Sequence, residues 1–280
     1  MIQNKPGGGS MLAANTVYNS EPKDGTVIAM FSSDLVLKQA WGAAGIQFDS
    51  AKIQWISSAF DTSAMCAVRK DSGVKSFEDL MKSGKELVFS SFGKGGLSHV
   101  PAVVFNSVFG SKIRVVTGYV GGAAQRLAVK NGEVQGFCTS FASTAANERP
   151  MFEGPSACCR MIIIAGTETG FHRWLKGVPA AEKLAEKLGK SKNELAMLRA
   201  MNAPNRINLP VSFAPGVPKD RVQAIRRAYE KAYKEPELRK LAKRMRADLQ
   251  VKIGNEVKRI VDEVLQTPKS VLAKIKEIVE

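Results

Sequence analysis

Apolar residues in the middle of the chain occur as short continuous runs that alternate with segments of helical spacing. The runs Leu87–Ser91, Ile113–Thr117 and Val134–Thr139 are of strand length, and they predict buried strands. A glycine-rich turn and then a helical segment follow each of the first two runs. This order of strand, turn, helix and strand is typical of βαβ units and therefore predicts a parallel sheet.

The same pattern places glycines where predicted helices begin. Residues 3–10, 92–98 and 118–122 are glycine-rich, and each precedes a predicted helix. Glycine lets the backbone approach a ligand closely, and the free N–H groups of a helix start attract anions. The turns are therefore candidate anion sites at the carboxyl ends of strands. For any one loop, glycines that only permit a tight turn explain the sequence equally well.

Periodicity predicts further elements outside this region. We expect a strand at Thr26–Phe31, an extended segment at Ala59–Val68, a helical segment at Trp174–Ala200 and an apolar segment at Ile207–Phe213. We expect the chain to cross between lobes near two of these segments, Ala59–Val68 and Ile207–Phe213. We therefore expect an α/β protein of two lobes, with residues 1–66 plus 207–280 as the first and residues 67–206 inserted as the second.

Composition agrees with a globular chain that needs no disulfide or metal to fold. It has 280 residues, of which 44% are hydrophobic, and no apolar run approaches the ~18 residues that cross a bilayer. The formal charge is +15, concentrated in residues 171–280. In the predicted helices from Pro218 to Met245, cations alternate with an apolar stripe that includes Leu238 and Leu241. We interpret these cations as solvated flanks of packed helices and expect no nucleic-acid partner.

Cysteine and histidine usage indicates neither catalysis nor metal binding. Cys66 and Cys138 lie in apolar stretches and are expected to be buried small hydrophobic residues, while Cys158 and Cys159 are adjacent. No zinc spacing, nucleophile elbow or metalloprotease helix is present, so we expect no catalytic residue, metal or cofactor. The alternative is an α/β enzyme that holds a phosphate or cofactor at the Gly93–Ser98 loop, although that loop lacks the Gly-Lys-Ser/Thr ending of a phosphate loop.

The order of these motifs resembles that of a known family, the substrate-binding receptors of tripartite tricarboxylate transporters. The segments that carry the resemblance span the chain: Asn4-Lys5-Pro6-Gly7-Gly8-Gly9, Pro22-Lys23-Asp24-Gly25-Thr26, Gly93-x-Gly95-Gly96-x-Ser98-His99, Thr117-Gly118-Tyr119-x-Gly121 and Pro215-Gly216-Val217-Pro218. The resemblance implies a type II periplasmic-binding-protein fold with two crossover segments. It also implies a monomeric, non-enzymatic periplasmic receptor that captures a small di- or tricarboxylate-like solute in an interlobe cleft and delivers it to membrane permease subunits.

The resemblance also implies which residues bind the ligand. In the second lobe they follow three successive strands, and in the first lobe they follow the strand Thr26–Phe31. Backbone N–H groups and hydroxyls suit a carboxylate that must be released again. The expected ligand-binding residues are Gly93, Gly95, Gly96, Ser98, Tyr119, Gly121, Gly122, Thr139, Ser140, Ser32 and Ser33.

One part of the family pattern has no counterpart in the sequence. Family members carry a first strand, a glycine-rich loop and a helix before the segment that matches residues 2–4, and a signal peptide before those. We therefore expect the chain to be an N-terminally incomplete receptor.

Overall fold

The computed structural model describes residues 1–166, 173–245 and 249–280. The strands are β1 (Ala29–Met30), β2 (Gln54–Ser58), β3 (Ala64–Arg69), β4 (Leu87–Ser90), β5 (Ile113–Val116), β6 (Gly136–Ser140), β7 (Cys159–Ile164), β8 (Val211–Phe213) and β9 (Lys252–Ile253). The helices are α1 (Met11–Asn19), α2 (Asp34–Trp41), α3 (Phe77–Ser83), α4 (Val100–Phe109), α5 (Gly121–Lys130), α6 (Phe141–Asn147), α7 (Arg149–Phe152), α8 (Ala181–Lys187), α9 (Lys192–Asn202), α10 (Lys219–Lys234), α11 (Pro236–Arg244), α12 (Asn255–Leu265) and α13 (Lys269–Val279).

The chain divides into two compact units. The first comprises Met1–Thr62 and Ala203–Pro268, and the second comprises Ser63–Asn202 and Lys269–Glu280. The chain passes from one unit to the other after Thr62 and again after Asn202. Each position is four residues before the boundary expected from the sequence. A third crossing places α13 in the second unit, whereas residues 207–280 were all expected in the first lobe. The reason is that α13 packs against α4 and α9, which belong to the second unit.

The second unit contains a five-stranded sheet in the order β5-β4-β6-β3-β7. β4 pairs in parallel with β5 and with β6, which confirms the parallel βαβ arrangement predicted for residues 87–140. β3 is antiparallel to both of its neighbours, β6 and β7. β3, β4, β6 and β7 are almost wholly buried, as their nearly continuous apolar runs require, whereas the edge strand β5 exposes Arg114.

Two of the cysteines form a disulfide in this sheet. Cys66 of β3 lies directly opposite Cys138 of β6, and their sulfur atoms are 2.00 Å apart. Both residues are fully buried, as expected, and the sequence did not indicate that they are bonded to each other. The pairing depends on two strands becoming antiparallel neighbours across 72 residues of sequence, which local patterns do not reveal. Cys158 and Cys159 carry free thiols.

The first unit contains a four-stranded sheet in the order β1-β8-β2-β9, in which neighbouring strands are antiparallel. The strand expected at Thr26–Phe31 is shorter, since only Ala29–Met30 pairs with β8. Ile56 of β2 and Phe213 of β8 are fully buried and pack under α10. Trp55 of β2 contacts Phe31, with ring centroids 5.8 Å apart.

The helical segment expected at Trp174–Ala200 is interrupted twice. A short 3-10 turn at Arg173–Leu175 precedes α8, and α9 begins only at Lys192. Pro179 lies in the first gap, where its missing N–H prevents a continuous helix. Gly189, with φ of 66°, lies in the second and adopts a left-handed conformation that ends α8.

The basic C-terminal helices are less buried than the sequence indicated. In α10 Val222 is buried, and Ile225 and Tyr229 pack against the core of the first unit. In α11, by contrast, no residue is buried, and Leu241 is 41% exposed. The prediction that the α11 stripe packs on the sheet is therefore wrong. The absence of a nucleic-acid partner, which was argued from that stripe, stays a prediction.

Candidate ligand-binding site

Most of the expected ligand-binding residues lie along one edge of the sheet in the second unit. Because β5, β4 and β6 are adjacent and parallel, their carboxyl ends meet at the same edge. A helix starts after each of these ends, namely α5 after β5, α4 after β4 and α6 after β6. We call residues 91–99, 117–122 and 139–140 the corner edge. It brings together all the expected site residues of the second lobe.

The turn after β4 is closed by its own hydrogen bonds. Ser98 is 1% exposed, and its hydroxyl oxygen lies 2.8 Å from that of Ser91 and accepts the N–H of Phe92 at 3.2 Å. Ser98 does not cap α4, because His99 occupies the N-cap position. The structure therefore gives the Ser98 hydroxyl a role in the shape of the turn.

Glycine is required in this turn for conformational reasons. Gly95 has φ of 71°, which side chains rarely allow. The carbonyl of Gly96 then accepts the N–H groups of His99 at 2.9 Å and Val100 at 3.0 Å. Two donors at the start of α4 are thus already engaged within the chain.

His99 is a buried group next to the same turn. Its Nδ1 atom has no hydrogen-bond partner among the residues that the structure describes. Burial, and secondarily the charge of Lys94, lowers the pKa of the imidazole. His99 is therefore neutral at neutral pH and brings no positive charge to the corner edge.

The turn after β5 is the most open of the three corners. Gly118 and Gly121 have φ of 111° and 74°, and Val120 between them is 90% exposed. Tyr119 is half-buried against the core of the unit, and its N–H donates to the Ser91 carbonyl at 3.3 Å. Val120 occupies the N-cap position of α5 and makes no side-chain capping bond. The first turn of α5 therefore presents N–H groups without a side-chain cap.

Arg126, a cation outside the expected set of site residues, lies beside the start of α5. Arg126 Nη1 is 2.8 Å from the position that a Cβ atom on Gly122 would occupy. The Nε atom of the same guanidinium donates to Glu148 at 2.7 Å, and Lys130 donates to the other carboxylate oxygen at 2.9 Å. Positions four residues apart share a helix face, so the spacing of Gly122 and Arg126 was a usable signal.

The carboxylate that holds Arg126 is itself ionised. Burial opposes the charge on Glu148, but hydrogen bonds from Lys130 and Arg126 outweigh it and keep its pKa below the ordinary value. The side chains of Arg126 and Glu148 are 11% and 14% exposed. This half-buried pair fixes the guanidinium next to the helix start.

The corner after β6 is built from buried hydroxyl residues. Thr139 and Ser140 are 5% and 7% exposed, and Ser140 accepts the N–H of Ser143 at 3.2 Å as the cap of α6. Behind it, Gln125 Nε2 donates to the carbonyls of Ser90 at 2.7 Å and Cys138 at 3.1 Å. Gln125 thus links β4 to β6 beneath the corner edge.

Ser32 and Ser33 belong to the first unit and are described there alone. They follow β1 and Phe31, and their carbonyls accept the N–H groups of Leu35 at 3.3 Å and Val36 at 3.1 Å. Ser33 occupies the N-cap position of α2, but its hydroxyl makes no capping bond there. Their part in ligand binding stays a prediction from the resemblance.

A family comparison decides the class of this protein. The family model of the tripartite tricarboxylate transporter family receptor, TctC, matches residues 1–150. The chain belongs to this family. No curated protein sequence matches the chain significantly.

Solved structures show the same fold for this TctC family receptor. A TctC solute-binding protein from Polaromonas, solved without ligand, is 18% identical, with a TM-score of 0.66 over 97% of this chain and 86% of that one. An R. palustris protein with adipate is 17% identical, with a TM-score of 0.69 over 97% and 84%. MatC from Rhodopseudomonas palustris with bound malate is 15% identical, with a TM-score of 0.65 over 98% and 85%. The chain thus has the α/β, two-lobed fold of type II periplasmic binding proteins.

Within residues 1–166, 173–245 and 249–280, no group of three or more His, Cys, Asp or Glu side chains is arranged to hold a metal ion. None of the helices in these ranges is both long and apolar enough to cross a membrane.

Proposed function

We propose that this TctC family receptor binds a small organic di- or tricarboxylate at the corner edge of its second unit. The observation that carries the proposal is the start of α5, where N–H groups without a side-chain cap lie beside the guanidinium of Arg126. A helix start and a cation both favour a bound anion, and an arginine matches the planar geometry of a carboxylate.

The three corners contribute differently to the proposed site. At α4 and α6 the turn itself or Ser140 already satisfies part of the helix start. At α5 no side chain does so, and we therefore place the carboxylate group nearest Gly121 and Gly122. Other expected site residues then surround the ligand without contacting its charged group. They are Gly93, Gly95, Gly96, Tyr119 and Thr139.

The solute class is supported by relatives of the same fold. Adipate and malate, the ligands of two solved relatives, are both dicarboxylates. We propose that this receptor takes a ligand of the same class in the periplasm and delivers it to the permease subunits of its transporter. The Cys66–Cys138 disulfide supports this location, since such bonds persist in oxidising compartments. A monomeric state and the involvement of Ser32 and Ser33 stay predictions.

Calorimetric titration and thermal melting test this function and separate it from the enzyme alternative. We expect malate, adipate or citrate to bind and to raise the melting temperature, while ATP has no effect. Stabilisation by ATP with no response to any carboxylate would favour an enzyme that holds phosphate at the Gly93–Ser98 loop.

Two substitutions at Gly122 test the position of the site. An aspartate there would place its own carboxylate at the start of α5, where it competes with the ligand, whereas asparagine has the same shape without the charge. The added Cβ meets only the mobile end of Arg126, so both variants should fold. We expect Gly122→Asp to lose at least about tenfold more affinity than Gly122→Asn, as a charge-assisted hydrogen bond implies. Equal affinities would place the carboxylate elsewhere.

A further inference from the structure

A groove of about 400 Å³ lies on the second unit, away from the corner edge. Its lining includes Lys70, which directly follows β3, and Cys159, the first residue of β7. Because β3 runs antiparallel to β6, these positions lie at the sheet edge opposite the carboxyl end of β6. The volume is that of a site for a small organic ligand.

The described lining of this groove is positively charged. In the part of the chain that the structure describes, this lining includes the basic residues Lys70, Lys75, Arg160 and Lys176 and no acidic residue. Among the described residues, none of these four cations forms an ion pair. Asp71 pairs with Arg69, and Glu153 pairs with Arg149 and Arg173, while the Asp79 carboxylate accepts the backbone N–H of Lys75 at 3.1 Å.

One of these cations has a buried donor without an acceptor. The Nε atom of Arg160 is inaccessible to solvent and has no hydrogen-bond partner in the described part of the chain. Its backbone is fixed in the sheet opposite Val68. Buried polar groups are nearly always hydrogen-bonded, and an unpaired donor on a charged group is costly. This donor therefore has no acceptor within residues 1–166, 173–245 and 249–280, and Arg160 itself lines the groove.

Apolar side chains form the remaining wall of the groove. Phe152 and Trp174 stack with ring centroids 5.3 Å apart and an interplanar angle of 25°. The indole N–H of Trp174 donates to Glu153, which fixes the ring. Met161 and Val178 continue this wall. The groove therefore combines a cationic rim with an apolar surface.

We propose that this groove is a second binding site, specific for a small organic anion whose charged group is attached to an apolar or aromatic body. The anion contacts Arg160 and is attracted by Lys70, Lys75 and Lys176, while its body packs against Phe152 and Trp174. The site is separate from the proposed carboxylate site and does not depend on it.

Titration with naphthalene-1-sulfonate tests this proposal, because a sulfonate on a flat apolar ring has both features and is not a carboxylate. We expect saturable binding that weakens at least about tenfold in Arg160→Met, as the loss of a charged hydrogen bond implies. Arg114→Met on β5 is the matched control, since Arg114 is half-exposed, pairs with Glu86 and does not line the groove. Neutral 1-naphthalenemethanol should bind much more weakly than the sulfonate.

A variant at exposed positions tests the proposal even if Arg160→Met does not fold. Lys70, Lys75 and Lys176 are exposed, so Lys70→Gln/Lys75→Gln/Lys176→Gln should fold normally. We expect it to reduce sulfonate affinity and the dependence of that affinity on salt. Unchanged binding in both Arg160→Met and the triple variant, or equal binding of the sulfonate and the alcohol, would overturn the proposal.

Discussion

Ser91 and Ser98 are joined by a hydrogen bond between their hydroxyl oxygens, 2.8 Å apart, which closes the glycine-rich turn after β4. Both residues are almost fully buried. The turn that most resembles a phosphate-binding loop therefore satisfies its own polar groups, whereas the start of α5 does not. Because of this contrast, we place the carboxylate group of the ligand at the turn after β5, where α5 starts.

Replacement of Ser98 by alanine should destabilise the second unit. The change removes the partner of Ser91 and leaves the Phe92 N–H without its acceptor. We expect the free energy of unfolding to fall by about 1–3 kcal/mol, measured by urea denaturation. Ser156→Ala, at an exposed serine, is the control and should change it by less than about 0.5 kcal/mol. A variant with unaltered stability but reduced carboxylate affinity would instead assign Ser98 to direct ligand contact.

Removal of the disulfide should also be costly. Cys66→Ala/Cys138→Ala eliminates a cross-link between β3 and β6, and we expect a loss of about 2–4 kcal/mol in urea denaturation. Alkylation of the unreduced, denatured protein provides a direct check. Cys158 and Cys159 should react and the other two cysteines should not. Reaction of all four would show that the bond is absent.

The pair of Arg126 and Glu148 predicts a dependence of stability on pH. Because the pKa of Glu148 is lower in the folded protein, the stabilisation is complete above about pH 4.3 and is lost as the pH falls below that value. At pH 7 we expect Glu148→Gln to lower the melting temperature by about 2–4 °C. The difference from the unsubstituted protein should shrink below pH 4. A constant difference from pH 7 to pH 3 would contradict this assignment.

The exposed stripe of α11 predicts tolerance to polar substitution. Leu241→Ser should change the free energy of unfolding by less than about 0.5 kcal/mol, because Leu241 already contacts solvent. Ile260→Ala in the buried face of α12 should cost about 2–5 kcal/mol. A loss at Leu241 as large as that at Ile260 would show that the apolar stripe of α11 is packed.

Local sequence was sufficient for the features that depend on neighbouring residues. The strands and helices between residues 87 and 140 follow from apolar runs and glycines only a few positions apart, and the parallel order follows from that alternation. The family resemblance was carried by similar short motifs, and the match over residues 1–150 confirms it. Arg126 could also have been found, since it lies one helical turn after Gly122.

Long-range packing decided the remaining features. The Cys66–Cys138 bond, the grouping of α13 with the second unit and the exposure of Leu241 each depend on which elements become neighbours in space. An amphipathic pattern shows that a helix has an apolar face, but not which surface covers that face. For the same reason Lys70 and Lys75, which precede Arg160 and Lys176 by 85 to 106 residues, line one groove with them only when β3 and β7 pair.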